Sequence, residues 1–410
     1  MRRDVTLALG LRAGGALAWL GYVWLLARTL PPPALGQALY ALALAGLLGG
    51  LLSAGWAGLI LRDGARQTPG PLLRQGLGRV VRHGLLLTGG LCVLAGLGGL
   101  PHLSPVWPLA PLTGLAALGL AVLGLLSSAA RARGQIGRAM LAQGALKAAF
   151  PALALLALLR HWPPGPGLVL AGFCLGLLPL LAGLAWRVLP PAAPRPETRG
   201  LRHIWGAQAG TLLLGHLDVV ILGWVLSPLE AAGYLLARRL VGLLAMLFDG
   251  LRSALAPRLA QAFAVPGAFP PLAARVNLAF LLLGGGAALL LLMAAPLALG
   301  LFGPAGLDPA TQAAFLWLLL GQAAPALFGA TGMLMVMSDM ERLRARLVWG
   351  LLGLGLPALV LAGGWGAPGL ALATATLQLG LAALSALGLA LRHGILPGLT
   401  ALLHTRLRLG

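Results

Sequence analysis

Apolar stretches of about 20 residues follow one another, with only short breaks, from the first residues to about Leu391. A helix rises about 1.5 Å per residue, so each stretch is long enough to cross the roughly 30 Å hydrocarbon core of a bilayer. Only 9% of the 410 residues are Asp, Glu, Lys or Arg, and 59% are hydrophobic, whereas soluble domains carry about 25% charged residues. The chain reads as an all-α integral membrane protein with no soluble domain of useful size.

Twelve spans are expected, at residues 7–26, 38–61, 84–103, 108–130, 139–159, 168–188, 204–226, 231–255, 277–302, 311–337, 347–361 and 369–391. The net charge of +20 would point to nucleic acid in a soluble chain, so its distribution decides its meaning. Of the basic residues, three precede or open span one, five follow span two, four follow span four, and four follow span six. Three more follow span eight, three follow span ten, and three end the chain, which places 25 of 29 on one side. Opposite loops such as "PHLSPVWP", "LSPLEAAG", "FGPAGLDPA" and "GGWGAPG" contain no Lys or Arg. The positive-inside rule therefore places both termini in the cytoplasm, requires an even number of spans, and accounts for the charge without nucleic acid. Arg2 and Arg3 could open a secretory signal, but no small-residue cleavage site and polar mature domain follow, so the run is read as span one.

The opposite loops are short and rich in Pro and Gly, leaving no room for an extracytoplasmic active site. No Walker motif, metal cluster or nucleophile constellation is visible, so the chain is not read as an enzyme and no cofactor is implied. Cys92 and Cys174 sit alone in separate apolar runs and are read as core packing residues.

The stretch "PPAAPRPETRG" is the one long polar, Pro-rich segment. It divides the chain into a six-helix lobe at 1–190, a cytoplasmic linker at 191–203, and a second six-helix lobe with a short cytoplasmic tail at 204–410. A gap-free shift of 196 residues aligns Gly10 with Gly206, Gly14 with Gly210, Pro32 with Pro228, Gly46 with Gly242 and Arg62 with Arg258. Six spans per half is an even number, so the two halves would enter the membrane with the same orientation, as a parallel repeat. Gly10 with Gly14, and Gly206 with Gly210, give the Gly-x-x-x-Gly spacing that packs membrane helices closely. Interior Pro and Gly in "GLLPLLAG" and "AAPALFGATG" predict bent helices.

Charges inside the spans stand out against this background. In "HLDVVILGWVLSPLEAAGYLLARRL", Asp218 lies about ten residues before Pro228, and Arg238 and Arg239 about ten after it. A hairpin would bring all three to one depth, roughly 15 Å below the surface. Each such charge costs about 2.5–3.5 kcal/mol at mid-membrane, so they should pair or face a wet cavity. Adjacent helical residues point about 100° apart, so both arginines cannot aim at Asp218. The leftover arginine either snorkels outward or helps line a cationic cavity for an anionic cargo. Lys147 and Arg12 are further cavity candidates, with snorkelling as the alternative. Arg28, at the outer end of span one, reads as an interfacial anchor. Asp249 and Arg252 are spaced as a helix-surface pair, whereas His216 and Asp218 lie on different helix faces.

The segment "WLLARTLPPPALGQALYALALAGLLGGLLSAGWAGLILRDGAR" resembles the opening two spans of bacterial polysaccharide-biosynthesis flippases. "LDVVILGWVLSPLEAAGYLLARRLVGLL" is similar to that family's seventh and eighth spans, and "ALAPRLAQ" to the end of the eighth. The resemblance implies the multidrug/oligosaccharidyl-lipid/polysaccharide exporter superfamily: two six-helix lobes around a cavity that opens alternately to each side. It also implies the bacterial inner membrane as location and an undecaprenyl-pyrophosphate-linked oligosaccharide repeat unit as cargo. Membrane lipids, a polysaccharide polymerase and glycosyltransferases are the implied partners. The cavity charges it implies are Arg28 and Asp218, with Arg238 and Arg239. At 410 residues the chain shows no sign of the two extra spans of the peptidoglycan-precursor flippases. A drug/cation antiporter of the same superfamily is the alternative, and a membrane-embedded polymerase or ligase is the alternative from another class.

Overall fold

The structure, a computed structural model, describes residues 2–63, 70–96, 107–188, 201–263, 267, 269–338 and 340–394. The regular secondary structure among these residues is all helical, and eleven of its helical segments are long and apolar enough to cross a membrane. Helix α1, Arg2–Thr29, occupies the place of the first expected span, so the twelve-span, all-α reading stands. The chain is a multi-pass membrane protein.

Two compact units emerge, Met1–Leu235 and Leu236–Gly410. The first holds α1, α2 (Pro32–Ser53), the short α3 (Trp56–Asp63), α4 (Gly70–Gly96) and α5 (Ala110–Ala132). It continues through α6 (Ile136–Leu141), a π-helical turn (Ala142–Leu146), α7 (Lys147–Leu158), α8 (Pro166–Val188) and α9 (Leu201–Val225). Helix α10 (Pro228–Phe263) begins in the first unit and ends in the second. The second unit then has α11 (Phe269–Ala279), a second π-helical turn (Phe280–Gly284), α12 (Gly285–Gly300) and the short α13 (Pro304–Leu307). It closes with α14 (Pro309–Gln322), α15 (Ala324–Phe328), α16 (Thr331–Met337), α17 (Glu341–Gly363) and α18 (Gly366–His393). The linker read from sequence falls largely in residues 189–200, outside the described ones.

The internal repeat is visible in the element order. The shift that takes Pro32 to Pro228 takes the end of α1, Thr29, to the end of α9, Val225. Both following helices start with Pro, whose fixed φ and missing N–H suit the first helical turn.

The first unit closes because α9 runs antiparallel along α2 for the length of both. A Cβ at Gly36 would run into the carbonyl of Pro228, and one at Gly223 would meet the ring of Tyr40. Midway, a Cβ at Gly50 would sit 3.4 Å from the Leu212 side chain. At the far end the Gln208 side-chain oxygen accepts from the Gly55 N–H at 2.8 Å, and the Trp205 indole N–H donates to the Leu51 carbonyl at 3.2 Å. Gly55 has φ +70°, a turn between α2 and α3 that a side chain would strain, and Gln208 satisfies its amide. This seam is why span seven and the start of span eight cluster with the first half.

Three expectations are corrected. The Gly-x-x-x-Gly face of span one does not pack: Gly10 and Gly14 meet nothing within 4 Å, and the close approach of α1 is made by Gly15, whose Cβ would lie 2.8 Å from Gly144 Cα. Cys92 is exposed on α4 instead of buried in the core, while the Cys174 thiol is half-buried and faces the Leu112 carbonyl at 3.7 Å. The third span starts at Gly70, well before residue 84, because arginine is a good helix former and its long stem lets an apolar helix continue through a charged turn. There Arg79 lies over the Trp56 ring at 5.3 Å.

Candidate functional site

The α9–α10 hairpin places the one acid singled out for the cavity. Asp218 is 2% exposed, and the Tyr234 hydroxyl donates to its Oδ2 at 2.7 Å. Helix α9 ends seven residues after Asp218, and α10 starts six residues before Tyr234, so these two share a depth of about 10 Å below the turn. Arg238 lies one turn deeper along α10. Counting from Pro228 put Asp218 level with Arg238 and Arg239; the helix ends put Tyr234 at that level as well, one turn before Arg238. Arg238 and Arg239 are half-buried and fall in the second unit. The turn is fixed by Ser227 and Glu230: the Ser227 hydroxyl and N–H both donate to the Glu230 carboxylate, at 2.8 and 3.1 Å.

Of the remaining candidates, Arg28 is exposed near the end of α1, with its guanidinium 5.5 Å over the exposed Trp24 ring. Lys147 is half-buried, and its Nζ lies 5.6 Å over the Trp19 ring. The Arg12 side chain lies outside the described residues. His216 does not face Asp218: its Nδ1 lies 3.0 Å from the Leu212 carbonyl of its own helix. Asp249 and Arg252 form the expected exposed pair at 2.7 Å.

The tyrosines are the residues that the charge-based reading missed. The chain has three, and Tyr22, Tyr40 and Tyr234 are all buried, at 1%, 5% and 0% exposure. A phenol in a bilayer-depth core needs a partner, so three tyrosines among 410 residues were themselves a signal. Tyr234 has Asp218. The Tyr22 hydroxyl is buried with no hydrogen-bond partner. Asn277 was missed as well: buried at 1%, its Oδ1 accepts from the Ala330 N–H at 3.1 Å, where the tenth span breaks. That break, between α15 and α16, has Gly329 at φ +82° and falls within the "AAPALFGATG" stretch expected to bend.

The sequence matches no family model and no curated protein. Solved structures do match, along nearly the whole chain. An inward-facing conformation of a multidrug resistance MATE family transporter of the MOP superfamily superposes with a TM-score of 0.67 at 14% identity, over 94% of each chain. The chain has the MATE fold. A Vibrio cholerae MATE transporter superposes at 0.66 with 16% identity, over 95% of this chain and 98% of that one. A MOP superfamily transporter from Pyrococcus furiosus, described as having a binding pocket of reverse polarity that suggests a different function, superposes at 0.59 with 15% identity, over 95% and 93%. The MATE fold agrees with the superfamily that the sequence resemblance implied.

Proposed function

We propose that this chain is an alternating-access exporter whose cargo is an anionic amphiphile, of the class of polyprenyl-pyrophosphate-linked oligosaccharides. One observation carries the reading: of the charges singled out deep in the spans, Lys147, Arg238 and Arg239 are half-buried bases and Asp218 is the one acid, a balance of three to one. A basic interior attracts phosphate and repels cations. The fold supports an exporter, and the Pyrococcus furiosus neighbour with its reversed pocket polarity supports cargo other than a cationic drug. The membrane potential would help: each negative charge moved out of an inside-negative cell gains about 2.3 kcal/mol per 100 mV, or about 4–5 kcal/mol for two charges, with no coupled ion.

A second reading has its own observation. Asp218 is a buried carboxylate in a chain whose fold neighbours include multidrug transporters. In a drug/cation antiporter, Asp218 would exchange a proton for a cationic substrate.

The test uses two hosts. Expressed in a strain lacking its own oligosaccharide flippase, the protein restores surface polymer, and changing Lys147, Arg238 and Arg239 together to Ala abolishes that restoration while membrane insertion persists. Expressed in an efflux-deficient strain, it leaves susceptibility to cationic drugs unchanged. Drug resistance that is lost in Asp218→Asn, with no polymer restored, establishes the antiporter instead.

A further inference from the structure

Three helices of the first unit converge on a lysine at the middle of the membrane. Lys147 is the only lysine in the chain. Its span runs over Gly137–Leu158, so it lies about ten residues, roughly 15 Å, from either end. A snorkelling lysine would direct its ammonium along the span toward an interface. Instead, Nζ lies 5.6 Å over the ring of Trp19, which is itself ten residues from the end of α1.

The surroundings are built. Trp19 packs against Tyr22 with ring centroids 5.5 Å apart and meets Phe173 of α8 edge-on at 6.2 Å. Tyr22 and Phe173 are each 1% exposed. Glycines bring the helices this close: Gly15 against Gly144 joins α1 to the π-helical turn, and Gly176 against Pro151 joins α8 to α7. The π-helical turn, Ala142–Leu146, ends immediately before Lys147. Such turns are rare and concentrate at functional sites. One turn along α1 from Trp19, the Tyr22 hydroxyl is a buried donor with no partner. A donor left unsatisfied in such a place costs free energy that a ligand oxygen would recover.

We infer that Lys147, Trp19 and Tyr22 form an anion site inside the first unit, which takes the phosphate-type head of an amphiphile. The inference rests on the anionic-cargo reading and names where the head binds. The lysine ammonium supplies the charge and Tyr22 a neutral donor. The Trp19 face contributes a cation–π contact to the ammonium. The aromatic wall of Trp19, Tyr22 and Phe173 suits the apolar portion that follows the head.

Because Lys147 is unique, its ε-amine reports on the site without mutation. Full-length protein in neutral phosphatidylcholine nanodiscs is treated with an amine-acetylating reagent. Acetylation of the Lys147 peptide is then followed by mass spectrometry, with an added lysine-containing peptide as reference. Farnesyl pyrophosphate at ten times its dissociation constant slows labelling of Lys147 about ten-fold relative to that peptide, and farnesol does not. Protection by inorganic pyrophosphate as well means the anion alone suffices; protection by the farnesyl compound only means a lipid-linked head is required. Either result supports the site. Tyr22→Phe weakens protection about three- to ten-fold while leaving the unfolding midpoint unchanged or raised, since the hydroxyl has no partner to lose. The site is overturned if labelling proceeds equally fast with every probe, or if Tyr22→Phe lowers the unfolding midpoint and leaves protection intact. Unaltered farnesyl pyrophosphate binding by Lys147→Met removes the site and spares the anionic-cargo reading; failure of the wild-type protein to bind either anion removes both.

Discussion

The Tyr234 hydroxyl donates to the Asp218 carboxylate at 2.7 Å across the α9–α10 hairpin, with both side chains buried. This bond joins an acid that sequence alone singled out to a phenol that it did not. Asp218 thereby has a partner inside its own unit.

Tyr234→Phe keeps the ring and removes the bond, leaving one lone pair of a buried carboxylate without its donor. A loss of about 1.5–3 kcal/mol is expected, read as a lower unfolding midpoint in detergent. Asp218→Asn keeps an acceptor for the hydroxyl but replaces a charge-assisted bond with a neutral one, and should also lower the midpoint. The double variant should fall short of the sum of the two, because the residues share one interaction.

Glycine substitutions separate the seam from the apparent motif. Gly36→Ala puts a methyl group against the Pro228 carbonyl and should destabilise the protein by about 1–3 kcal/mol. Gly10→Ala, on an open helix face, should leave stability unchanged or raise it by about 0.5–1 kcal/mol through helix propensity. Thermal unfolding of the two purified variants checks both. A Gly10 variant as damaged as the Gly36 one would contradict the packing of α1 described above.

The broken tenth span is held by a side chain from the ninth. Asn277→Leu removes the acceptor of the Ala330 N–H and should cost about 1–3 kcal/mol. Amide hydrogen exchange over residues 323–337 should speed up in this variant and stay near wild type in Asn277→Asp, which keeps an oxygen in place. Gly329→Ala, at φ +82°, should cost about 1 kcal/mol by backbone strain alone.

The exposed Asp249–Arg252 pair is expected to contribute little. Asp249→Asn should change stability by no more than about 0.5 kcal/mol, and added salt should shrink even that. Urea or thermal unfolding at two salt concentrations measures it.

The spans were legible because hydrocarbon-length apolar runs admit one solution, and the repeat because Pro32 and Pro228 open corresponding helices. The bend at "AAPALFGATG" was legible from its Pro and Gly. Other features were not, for identifiable reasons. Which side chains lie level with Asp218 depends on where α9 ends and α10 begins, and a shift of four residues moves a side chain a full turn. The packing glycine of α1 could not be told from its neighbours in a chain with 61 glycines. The π-helical turn ahead of Lys147 has no signature in "AQGAL". Of the charged candidates, the structure gives Lys147 an aromatic setting within the membrane and leaves Arg28 exposed beside Trp24. Buried phenols and amides carry no formal charge, so nothing in an apolar run marks them out as paired groups.

The α2–α9 seam also bears on how such a protein is assembled. A ribosome finishes α2 long before α9 exists, so the Gly36 and Tyr40 face waits, uncovered, through the synthesis of more than a hundred residues. Two polypeptides made separately from either side of the central linker would each carry one strip of that seam, and co-expression should let them recognise each other and associate.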